Sequence, residues 1–183
     1  MQQNNCPTLE NYIAGDQCME NLAGMGSTVY AFQRNKLKAA LSRTAETYTF
    51  PSDAFQTGEG LYKFECKEEK QQLQGESQGP RQGFVITGNF VLEAVDKVAS
   101  RIARSLNNLD LGFIFTESDG SAQIMYDPIR KVHIESGGLT TDTGAAPGDD
   151  RQMSVALKLG PVAYPALYVD APEAGWDSLL KQQ

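Results

Sequence analysis

Val95-Asp96-Lys97-Val98-Ala99-Ser100-Arg101-Ile102-Ala103-Arg104-Ser105-Leu106 leads shortly into Leu111-Gly112-Phe113-Ile114-Phe115, and these phrases decide how the chain folds. Val95, Val98, Ala99, Ile102, Ala103 and Leu106 recur at the spacing of one helical face, while Lys97, Arg101 and Arg104 share the other. This predicts an amphipathic helix lying on an apolar surface. Leu111, Phe113 and Phe115 then alternate up to a polar turn holding Asp119-Gly120, and Ile124 and Tyr126 follow, with Val132 and Ile134 beyond Pro128. That is the pattern of a β-hairpin. Ile114 and Met125 fall on the opposite faces, so the hairpin carries apolar groups on both sides. One helix of a small domain covers one side, and the expectation is that a neighbouring copy covers the other.

Outward from this centre, further strands are predicted at Ser27 to Phe32, around Tyr48 and Phe50, and where Tyr62, Phe64 and Cys66 alternate with charged residues. The longest runs from Phe84 to Leu92, with Gly88 marking a bulge or a close approach. Met153 to Leu159 and Ala166 to Val169 complete the set, and Asn35 to Leu41 suits a short helix or turn. About eight strands and one helix, without regular strand-helix alternation, predict a mainly β fold. We expect a β-sandwich or open barrel of antiparallel sheets with one flanking α-helix and extended loops and arms. One domain spans residues 1–183, with an N-terminal arm over 1–26 and a C-terminal tail over 170–183. Gln71 to Gly83, with five Gln and three Gly, reads as a mobile connection or the tip of an extended hairpin, and Ser136 to Asp150 as a second polar connection. In the tail, Trp176 precedes Leu179 and Leu180 at helical spacing; such a turn is unstable alone and needs a partner surface, its own core or another subunit's.

The totals exclude several function classes. A chain of 183 residues, 40% hydrophobic and 21% charged, is long enough for a real core. No run of about 18 apolar residues offers a membrane helix, and the polar start, Met1 to Pro7, lacks the basic and apolar regions of a secretory signal. The expectation is a protein retained where it is made, in a cytosol. Cys6, Cys18 and Cys66 are odd in number and widely spaced, which suits reduced thiols better than a zinc cluster or redox pair. A net charge of −7 disfavours wrapping nucleic acid.

No reactive constellation stands out, and no catalytic, cofactor-binding or metal-binding residue is assigned. Asp142-Thr143-Gly144-Ala145 matches the short signature of aspartic proteases, yet it lies in a glycine-rich polar context where a shared-proton carboxylate pair has no apolar grip. Asp142, Asp149 and Asp150 lack the spacing of a calcium loop, so a solvated turn capped by Arg151 explains them. His133 alternates opposite Val132 and Ile134 and reads as an exposed strand histidine without an argued catalytic partner. Gly24-Met25-Gly26 lacks the third glycine of a dinucleotide loop. Lys36, Lys38 and Arg43 read as a solvated face. A small hydrolase using Asp142 or His133 is the expectation's rival from another class.

The second half also has a familiar wording. Leu106-Asn107-Asn108-Leu109-Asp110, Gln123-Ile124-Met125-Tyr126-Asp127-Pro128, Gly144-Ala145-Ala146-Pro147-Gly148-Asp149-Asp150 and Pro172-Glu173-Ala174-Gly175-Trp176-Asp177 resemble structural proteins of tailed phages and prophages of Bacteroidetes-type hosts, the tail tube (major tail) protein in particular. The likeness covers roughly Gly24 to Leu180 and includes no catalytic motif. It implies two packed antiparallel sheets with a helix on the flank, a virion location in the tail after synthesis in a host cytoplasm, and self-assembly into stacked rings, usually of six. Partners would be further copies and other tail or connector proteins, with DNA only in passage. Phe113, Ile114, Phe115, Met125, Trp176, Leu179 and Leu180 are the expected subunit interface, and Glu65, Glu68 and Glu69 the expected channel face. Six copies of −7 put about −42 on a ring, a field that repels phosphate. A head-to-tail connector or head-associated ring protein is the alternative within the same class.

Overall fold

The predicted hairpin forms between Leu111–Glu117 and Ala122–Met125, with Phe113 opposite Met125 and Ile114 opposite Ile124. The computed structural model describes residues 24–44, 47–93, 95–146, 149–165 and 167–182. In chain order these contain β1 Met25–Gln33, β2 Ser42–Arg43, β3 Thr47–Thr49, β4 Tyr62–Glu65, β5 Gln72–Ser77 and β6 Phe84–Leu92. Helix α1 Lys97–Asn108 follows, then β7 and β8 of the hairpin, β9 His133–Asp142, β10 Gln152–Val162 and β11 Leu167–Asp170. The strands make a seven-stranded sheet in the order β2-β3-β11-β8-β7-β1-β4 and a four-stranded sheet in the order β5-β6-β10-β9. Pairing is antiparallel except between β11 and β3. The expected β-sandwich with one helix is the observed fold.

The large sheet is apolar on both faces, and each face has its own core. Toward the small sheet, Val29, Ala31, Phe113, Phe115 and Met125 meet Ile86, Phe90, Met153, Val155, Leu157 and Leu159. Gly88 is here a close approach and no bulge: a Cβ on it would stand 3.0 Å from the Phe115 ring and 3.2 Å from the Met125 sulfur. Helix α1 closes one flank of this core with Ala99 and Leu106 buried and Ile102 and Ala103 packed against it. Its first turn is fixed by Asp96, whose carboxylate accepts a hydrogen bond from the Ala99 N–H at 2.7 Å. Val98, expected on the apolar face, is instead 47% exposed.

Across the large sheet, Tyr30, Phe32, Ile114, Ile124 and Val169 form the base of a second core. Its cover is the chain's own: Leu37, Leu41, Tyr48, Phe50, Ala54, Phe55 and Leu61 from the segment following β1, and Leu179 from the tail. Phe32 lies edge-on to Phe50 and Phe55, an arrangement that aromatic quadrupoles favour.

This second cover corrects the expected interface. Phe113 is 2% exposed, Ile114, Phe115 and Met125 0%, and Leu179 8%, so none of these five is presented to a neighbour. The surplus of apolar sheet is real, but residues 34–44, 47–61 and 176–180 fold back to hide it. Those segments carry short 3-10 turns at Arg34–Lys36 and Trp176–Leu179, which position their aromatic and aliphatic side chains without a long periodic signal. The other corrections concern boundaries. Met25 and Gly26, assigned to the arm, belong to β1, and the rest of that arm lies outside the described residues except Gly24. Gln71 to Gly83 is an extended hairpin whose first arm is β5, and Ser136 to Asp142 continues β9 as a paired edge strand.

Candidate assembly surfaces

Trp176 and Leu180 are the two expected interface residues that remain half-buried. The Trp176 ring sits 5.7 Å from Phe50 and 6.1 Å from Tyr30, and Leu180 bridges to Leu61, so both seal the second core rather than project from it. The tail is held by polar contacts as well. Leu61 N–H donates to the Leu179 carbonyl at 2.8 Å, Lys181 N–H to the Leu61 carbonyl at 3.0 Å, and the Lys181 ammonium reaches Glu59 at 2.7 Å. Lys181 and Lys36 hold the Glu59 carboxyl below the usual carboxylate range.

Tyr30 donates its hydroxyl to Asp177 at 2.9 Å. Burial first, and then that carboxylate, push its pKa from 10.0 up to about 12. A group raised on folding stabilises the fold below its unfolded pKa, and this contribution is lost as pH climbs through the folded value. Between pH 10 and about 12 the tail should therefore loosen, read as a change in fluorescence of Trp176, the only tryptophan. In a Tyr30→Phe variant the component assigned to this hydroxyl should vanish; an unchanged titration would show that Tyr30 does not gate it.

With both faces of the large sheet covered, an open surface among the described residues is the outer face of the small one. Alternation places Gln72, Gln74 and Glu76 of β5, Val85, Thr87, Asn89 and Val91 of β6, and Ser154, Ala156 and Lys158 of β10 there, pointing away from the buried Phe90, Val155 and Leu157. The pattern is mostly polar, with Val85 and Val91 interspersed, and nearly neutral, with Lys158 paired to Glu135 at 3.5 Å. β5 and β9 pair on one side only among the described residues, leaving two free edges. The expected channel residues lie elsewhere. Glu65 is exposed on the edge strand β4, and Glu68 and Glu69 are exposed in the turn that carries the chain from one sheet to the other.

The two ends of β7 differ sharply. At its start, Asp110 ion-pairs with Arg34 at 3.6 Å and Lys131 at 3.2 Å, and the Arg34 guanidinium donates to the carbonyls of Pro128 and Arg130. The Asp127 carboxylate accepts from the N–H groups of Ile129 and Arg130. The resulting loop is braced from within and from below, yet its Ile129 is 87% exposed. At the other end of β7, Glu117 borders a groove of about 650 Å³, lined also by Met25, Leu73, Glu69 and Lys70.

No family model, no curated protein and no solved structure matches this chain. The surfaces therefore have to be argued from their own chemistry. Asp142 accepts from Gly144 N–H in a local turn at one end of β9 and His133 stands exposed at the other, so they share no site. Asp149 caps Ala145 and Ala146, while Asp150 pairs with Lys67, which holds its carboxyl low. Cys66 is buried and its thiol is pushed up to about 11 by desolvation. Among the described residues no cluster of three or more His, Cys, Asp or Glu is placed to hold a metal, and no helix is long and apolar enough to cross a membrane. Sequence reasoning passed over the Ile129 loop and the groove. Arg34 and Asp110 are far apart in the chain, and their pairing has no local signature; the Asp127-Pro128-Ile129 turn, with an apolar residue at its tip, was the one available signal.

Proposed function

We propose that this chain is a virion structural protein, a self-assembling subunit of a phage tail tube in which rings of copies stack around a DNA-conducting channel. The reading draws on the resemblance of the phrases between Leu106 and Asp177, and on one observation above all: a four-stranded sheet whose outer face is open and mostly polar among the described residues, between two edges that lack a strand partner there. A free strand edge is a row of unpaired N–H and C=O groups, which invites pairing with another chain. Joining β5 of one copy to β9 of the next would repeat the same contact around a ring and close both edges of every four-stranded sheet. The amides and hydroxyls of Gln72, Gln74, Thr87, Asn89 and Ser154 then face the interior, and a surface poor in Lys and Arg gives passing phosphates little to hold. Surplus apolar surface no longer supports assembly, because the chain covers it. Glu65, Glu68 and Glu69 move in this reading from the channel to the corner beside β4.

Negative-stain microscopy of concentrated protein is the test. Tubes or stacked rings with a central channel are expected. Single rings that never stack would favour the connector alternative, and a monomer at every concentration would overturn the proposal.

A further inference from the structure

A single exposed apolar side chain is ordinary on a protein surface and by itself means little. Ile129 differs because its loop is held rigid. Arg34 and Asp127 fix the backbone on both sides of it, so presenting this side chain to a partner costs little ordering entropy. Arg130 and Lys131 flank it with positive charge. A fitting partner is an apolar recess with an acidic rim. The groove at the far end of β7 offers such a spot within an otherwise polar lining that includes Gln71, Gln72 and Asn89: Met25 and Leu73 pack on the first core and supply its apolar part, and Glu69 and Glu117 stand at its border against the single cation Lys70.

Knob and groove cannot meet within one molecule. The clamp at Asp110 precedes β7 and Glu117 ends it, which at the rise of an extended strand sets them about 20 Å apart. Accepting the proposed self-assembly, on which this step rests, we infer that the Ile129 loop of one copy seats in the groove between Met25 and Leu73 of the next. The contact joins unlike surfaces at opposite poles, so it leaves a knob free at one end and a groove at the other. Such a contact propagates along the strand direction of β7 unless a rotation closes it. It is a stacking contact, distinct from the edge pairing proposed within a ring.

Sedimentation velocity over a concentration series tests it on the full chain. Ile129→Asp is expected to raise the concentration at which assemblies form by about tenfold or more, while Ile129→Leu is expected to leave it near the natural value. Arg130→Glu and Glu69→Lys, both at exposed side chains, should each weaken assembly and together restore it. Natural protein that assembles, with the Ile129→Asp variant assembling equally well, overturns the inference and leaves the proposed function standing. Failure of the natural chain to assemble at any concentration overturns both.

Discussion

Phe115→Ala should lower stability by about 3–5 kcal/mol and Ile114→Ala by about 2–5 kcal/mol, the usual cost of emptying a packed core site. Neither loss should vary with protein concentration. The two residues are neighbours in β7 and point to opposite faces, Phe115 into the core between the sheets and Ile114 into the core beneath the tail, and both are 0% exposed. If copies of the chain supplied the second cover, Ile114→Ala would leave the dilute monomer as stable as before and impair association only. Urea unfolding, run below the concentration at which copies associate and repeated at several dilutions, separates these outcomes. A monomer indifferent to Ile114→Ala would refute the intramolecular cover.

The second large effect needs only one methyl group. A Cβ added at Gly60 would stand 2.4 Å from the Leu179 carbonyl oxygen and 2.7 Å from the Lys181 nitrogen. Both are backbone atoms that cannot swing aside as a side-chain tip does. Gly60→Ala should therefore push the tail off its seat and break the hydrogen bonds that Leu61 makes with Leu179 and Lys181. Overpacking of this kind costs about 1–3 kcal/mol, and the loss should appear with red-shifted, more quenchable Trp176 emission. Retained emission at natural stability would mean that the tail adapts without leaving.

How far the sequence led follows from what makes a strand legible. β1, β6, β7, β8 and β10 carry regular apolar alternation because one or both faces are buried, and each is where the pattern placed it. β5, Gln-Leu-Gln-Gly-Glu-Ser, and the far half of β9, Gly-Gly-Leu-Thr-Thr-Asp, are edge strands with little to bury, so their alternation is written in polar residues and they read as loops. The need for two covers was legible from Phe113, Ile114 and Phe115. The source of the second was not, because Leu37, Leu41, Phe50, Phe55 and Leu61 lie scattered through a segment with no period, and only the tertiary fold gathers them. Trp176 and Leu179 stood open between two readings, and burial against Phe50 and Tyr30 decides for the chain's own core. The Ile129 loop was illegible for the opposite reason: its rigidity comes from Arg34, a partner far upstream.

The position of β11 sets a schedule for biosynthesis. It stands between β8 and β3, and among the described residues it is the strand through which the short β2-β3 pair joins the ladder of the large sheet. Thr47 to Thr49 leave the ribosome early and must wait for Tyr168 to Asp170 before they have a neighbour on that side. Closing a contact across so much chain is slow, and meanwhile Tyr48, Phe50 and Phe55 are without the strand and tail they finally pack against. Yield of soluble material should thus be governed by what happens to the nascent chain before its last residues emerge, and cooler, slower expression should favour it.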